Sequence, residues 1–125
     1  MLAILSRRLS TAGMALLFAL TGAGWTLHAQ DFDRARDLVR RVQNDLHQAE
    51  YYTRSNEKER MRYENVEHRL DEFDHGLHHD RFDKGKLNDA INNLKDVVQK
   101  NTLEGRERDA LISDLSDLRT LRDLR

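Results

Sequence analysis

Residues 32–49 read FDRARDLVRRVQNDLHQA. Phe32, Ala35, Val39, Val42, Leu46 and Ala49 recur at intervals of three and four, and most of the positions between them are charged or amide-bearing. That is the period of an α-helix that buries one stripe, close to a coiled-coil heptad. Asp37–Arg41 and Glu50–Arg54 add i,i+4 pairs in the favourable acid-first order. The stretch predicts a helix from about Asp31 to Thr53.

The same pattern returns three times downstream. Tyr63, Val66, Leu70, Phe73 and Leu77 form a second stripe, offset by one residue from the first. The offset implies either a break near Ser55-Asn56, the preferred reading, or one long helix that carries a small phase slip. Asn56 followed by Glu57 and Glu59 has the chemistry of a helix start, because an Asn cap and early acids suit the positive end. Gly76 and the stretch Leu77–Gly85 read as the next connection. Asp83 then caps a third helix running to about Lys100, with Leu87, Ala90, Ile91, Leu94, Val97 and Val98 inside. A fourth helix spans about Glu104 to Leu124 and carries Leu111, Ile112, Leu115, Leu118, Leu121 and Leu124. These steps of mostly three make its stripe drift around the helix, so its end is expected to lie open or meet a partner.

Composition agrees with an all-α chain. Proline is absent, and Gly76, Gly85 and Gly105 are the only glycines after residue 30, spaced like punctuation between helices. No strand-like alternation interrupts the helical period. The expected fold is a small antiparallel bundle of three or four helices, with an extended helical hairpin as the alternative. Cysteine is also absent, so no disulfide can supplement a thin core of mostly Leu and Val.

The N-terminal segment has a different character. Arg7 and Arg8 precede the apolar run Ala12–Leu20 (AGMALLFAL), and Leu27-His28-Ala29 ends on a small residue. This is the layout of a secretory signal peptide over residues 1–29, leaving a charged helical domain over residues 30–125. The expectation is therefore an exported protein, periplasmic or extracellular, with no integral membrane segment once the signal is cleaved. Loss of Arg7 and Arg8 would move the formal charge from −1 to −3. Both signs are interspersed along the remainder, without the basic block that nucleic acid or anionic lipid selects.

Histidine supplies the most suggestive chemistry. His68, Glu72, His75 and His79 fall within about 60° of one another on an unbroken helix. His75 and His79 have the i,i+4 spacing by which two imidazoles reach one metal ion. They are candidate ligands for weak binding of zinc or another transition metal, and no other cofactor is implied. The segment Asp80–Gly85 has an EF-hand-like glycine, but Phe82 and Lys84 stand where calcium needs oxygen donors. Ser55, Ser113 and Ser116 sit in no nucleophile setting, so an enzyme is not expected. The adjacent Tyr51 and Tyr52 point 100° apart on a helix. They read as a helix end with one ring packed and its hydroxyl wet, or with one ring on a partner.

The charged, helical, exported character resembles that of periplasmic helical-hairpin stress chaperones and metal-resistance accessory proteins. Those families carry Leu-Thr-x-x-Gln at helix starts. Here Leu103-Glu104-Gly105-Arg106-Glu107 keeps only the leucine, so no membership follows. The expected function is non-enzymatic: protein–protein contact with an unidentified envelope protein, or self-association as a homo-oligomer. Its candidate anchors are Phe32, Val39, Val42 and Leu46, with Leu115, Leu118 and Leu121, unless these are simply core. The alternative is a metal-binding or envelope-stress accessory role for the His face.

Overall fold

The computed structural model describes the backbone from Ala23 to Leu124 and side chains from Phe32 to Leu124. The expected signal peptide lies outside this range, apart from helical backbone beginning at Ala23. Four helices follow in order: α1 (Ala23–Tyr52), α2 (Glu57–His78), α3 (Lys84–Lys100) and α4 (Gly105–Asp123). The break expected at Ser55-Asn56 is present, so α1 and α2 are separate helices.

Cross-helix contacts give the topology. Between α1 and α2, Gln43 meets Asp71 and His47 meets Glu67, so one index rises as the other falls. Arg62 with Asn101, and Lys86 with Glu72, set α2 antiparallel to α3. Arg108 with the Val98 carbonyl, and Arg122 with Asn88, do the same for α3 and α4. Arg41 on α1 then reaches Asp114 on α4 and closes the ring. The result is a four-helix, up-and-down bundle rather than an extended hairpin.

Each helix supplies its stripe to one core. Ala35, Val39, Val42, Leu46 and Ala49 come from α1, and Tyr63, Val66, Leu70, Phe73 and Leu77 from α2. Leu87, Ala90, Ile91, Leu94 and Val97 come from α3, and Leu111, Leu115, Leu118 and Leu121 from α4. Fully burying one such Leu, Val or Phe side chain contributes about 1.5–3 kcal/mol, whereas an exposed ion pair contributes about 0.2–1. The stripes hold the bundle and the surface pairs trim it. Ile112 and Leu124, expected on the α4 stripe, are exposed. At 100° per residue they lie about 120° to either side of the centre of the buried face. Arg41, expected to pair with Asp37 within α1, is taken by α4 instead, and Asp37 pairs with Arg40 at 3.4 Å.

One end of the bundle is tied by Glu59. The Asn56 side chain accepts from the Glu59 amide at 2.8 Å, and the Asn56 amide donates to Glu59 Oε1 at 3.0 Å. This is a reciprocal capping box. The second oxygen, Oε2, accepts from the Thr102 amide at 2.5 Å, across the bundle in the α3–α4 connection. Asn101 strengthens the same tie by donating to the Glu59 carbonyl at 3.0 Å. Glu59 is 6% exposed, while the Asn56 and Thr102 that it joins lie at the surface.

The other end turns through a Schellman motif. Arg81 N donates to Gly76 O at 2.8 Å and Asp80 N to Leu77 O at 3.1 Å. The left-handed position belongs to Asp80, with φ of 57°. Gly76 and Leu77, expected in the connection, are therefore inside α2. A Cβ on Gly76 would lie 3.3 Å from the Arg81 carbonyl oxygen, so that glycine serves a close approach rather than a stop.

Three outcomes follow for stability. Glu59→Ala is expected to cost about 0.5–2 kcal/mol by urea denaturation, since it removes half of the capping box and the acceptor of the Thr102 amide. The amide donors of Asn56 and Thr102 hold the Glu59 carboxyl below the usual range. Its contribution is thus present above an unfolded value of about 4.3 and lost as pH falls through the folded one. Glu59→Gln should flatten that acid limb, and an unchanged limb would refute the tie. Asp80→Gly should raise stability by about 0.5–1 kcal/mol, because glycine adopts positive φ without a Cβ penalty. A loss would show that Asp80 makes a stabilising local bond.

Candidate functional site

Helix α2 presents its outer face beside the α2–α3 connection and the start of α3. Together they line a groove of about 590 Å³ containing His68, Asp71, Glu72, His75, Gly76, Arg81, Phe82, Asp83 and Lys86. Phe82 forms its apolar wall. Its ring meets Phe73 edge-on at 5.2 Å and lies 6.5 Å from Phe32, so the connection is plugged into the core end. Asp83 accepts from the Lys86 amide at 3.1 Å and starts α3 where the sequence placed its cap.

The four expected metal ligands fall into two pairs. Glu72 accepts from Arg69 at 2.9 Å and from Lys86 at 3.2 Å, with His68 Nε2 at 3.9 Å. The Arg69 bond, then the Lys86 bond, hold the Glu72 carboxyl below its ordinary range. A carboxylate already carrying two cations is a poor start for a third positive charge. His75 and His79 form the other pair, with ring centroids 4.6 Å apart. Helix α2 ends at His78, so His79 is the cap residue and its ring folds back, Nδ1 lying 3.2 Å from the His75 carbonyl. His78 turns to Asp74 at 3.2 Å. Among the described residues, no group of three or more His, Cys, Asp or Glu side chains is placed to hold a metal ion.

The expected partner anchors lie elsewhere and inward. Val39, Val42, Leu46, Leu115, Leu118 and Leu121 are buried core residues of the chain itself, and Phe32 is half-buried against that core. They are covered within one molecule, in keeping with the alternative that they are simply core. The exposed apolar groups are different ones. Tyr51 is 81% exposed and Tyr52 62%, stacked edge-to-face on each other with centroids 4.9 Å apart. Neither ring is packed, against the expectation that one would be, because at 100° per residue both lie well off the buried face that runs from Leu46 and Ala49 on to Thr53. Tyr52 also borders a groove of about 520 Å³ with Glu104, Gly105, Arg106 and Glu107. Exposed Met61 stands one turn into α2 at the same end of the bundle.

Asp114 was missed as a site residue. It is buried on the inner face of α4, and its position between Leu111 and Leu118 was a readable signal. Among the described residues, no helix is long and apolar enough to cross a membrane.

Because Glu72 is occupied and the imidazole pair stands apart, zinc is expected to bind no tighter than about 100 μM by calorimetry. That weak binding should vanish in His75→Ala/His79→Ala. A low-micromolar dissociation constant would show that the two pairs converge on a metal. Comparison with protein-family models, curated proteins and solved structures gave no match.

Proposed function

We propose that this chain is an exported, non-enzymatic helical protein that works through protein–protein contact, including self-association. The observation that carries the reading is the Tyr51–Tyr52 corner. Two adjacent tyrosines held in contact with each other, and with water on their outer faces, are large, rigid and amphipathic. Such rings supply contact area at small entropic cost and dominate many interfaces. Met61 adds a flexible apolar group at the same end of the bundle, of the kind that adapts to a partner.

The bundle contributes as a rigid platform. The Glu59 tie joins the α1–α2 and α3–α4 connections directly beside the tyrosines. A partner that docks there would pay little to order them. The charged flanks, including Arg106 and Glu107, would then set orientation rather than affinity.

Light scattering of the purified protein, with and without zinc, separates this reading from a metal-driven one. The expected result is a mass above the monomer that is indifferent to zinc and reverts to monomer in Tyr51→Ser/Tyr52→Ser. A partner pulled down from the envelope fraction by the parent chain and lost with that variant would serve equally. A zinc-indifferent monomer with no tyrosine-dependent partner would overturn the proposal.

A further inference from the structure

Asp114 lies on the same side of α4 as Leu111, Leu115 and Leu118 and is 1% exposed. A carboxyl group in that position is costly unless every oxygen finds a partner. Arg41 on α1 donates Nε to its Oδ1 at 3.0 Å, and the other end of the guanidinium bonds Asp117. Asp114 Oδ2 is buried with no donor. Across the seam the carboxyl meets that of half-buried Asp45 on α1, itself an acceptor. Two acceptors in contact make a hydrogen bond only if a proton lies between them.

We propose that Asp45 and Asp114 share one proton, and that this proton latches α1 onto α4. With the proton bound, the orphan oxygen is satisfied and the seam is closed. With the proton lost, two carboxylates oppose each other at the α1–α4 seam and α1 loosens. The charged groups facing Asp114 are Arg41 and Asp45 from α1, and Asp117 on its own helix shares Arg41. Arg41 divides its charge between two acids, so it cannot neutralise all three.

Burial first, then the Asp45 hydrogen bond and charge, together push the Asp114 carboxyl up to about 7 against the opposing Arg41. The sign follows from linkage. The folded value exceeds the unfolded value of about 3.9, so the pair stabilises fully at low pH and that contribution fades as pH rises through the folded value. The latch also decides access to the seam. Val39, Val42 and Leu46 face the bundle interior with Leu115 and Leu118, and loosening α1 would uncover them.

Carboxyl carbon NMR of the full chain tests the shared proton. Asp114 is expected to titrate near 7 and to fall by about one unit or more in Asp45→Asn, whose amide can donate without a proton. Titration in the ordinary carboxylate range, or a midpoint unmoved by Asp45→Asn, would overturn the proposal. The absence of cysteine lets the motion be read by spin labels on Arg40→Cys and Arg119→Cys. The inter-label distance should be short and narrow on the acid side of the titration, and longer and broader on the alkaline side. Asp45→Asn and Asp114→Asn should each stay narrow on both sides. A distribution insensitive to pH in the parent chain would refute the latch even if the proton is shared.

Discussion

The whole structure depends on four apolar stripes meeting in one core. Without disulfides, and with phenylalanine scarce, no single pair of helices could bury enough surface to stand alone. The contributions are nearly equal from α1 to α4, so removing any helix would expose the inner faces of its neighbours. The side of α1 facing α2 is aligned by Gln43 and His47, and the side facing α4 by Arg41. These polar ties fix register, while the stripe between them supplies the free energy.

The two ends of the bundle are closed by different chemistry. At one, the Glu59 carboxylate joins two loops through backbone donors. At the other, the Phe82 ring caps the core beside Phe73 and Phe32. The polar end carries the exposed tyrosines, and the aromatic end carries the histidine groove. The proposed contact surface rests on this exposed aromatic pair above the polar tie. The groove has its strongest acceptor, Glu72, already consumed by Arg69 and Lys86.

Much of the fold was legible because its stripes are regular. The α2 and α3 caps, Asn56 and Asp83, stand where local chemistry placed them. Gly76 was misread because glycine is both a helix terminator and the residue that permits close backbone approach, and only the fold shows Arg81 lying over it. Arg41 could pair with Asp37 locally or with α4 at a distance, and sequence spacing reveals only the local choice. Asp114 was legible in principle: helical geometry sets it nearer the centre of the buried face than Leu121. A reading that counts only apolar residues passes over a buried acid. The burial of the proposed anchors was not legible, since a stripe on a helix looks the same whether its own chain or a partner covers it.

Those covered stripes make α1 the decisive element. If α1 is an equal member of the core, its stripe is taken up within the chain, and the acid pair at its seam has something to control. Native-state hydrogen exchange under acid conditions tests this most directly. Amides from Ala35 to Ala49 should be protected to the same degree as those of α2, α3 and α4, because all four helices would open together. Exchange of the α1 amides at the rate of a free helix, while the other three remain protected, would contradict the account.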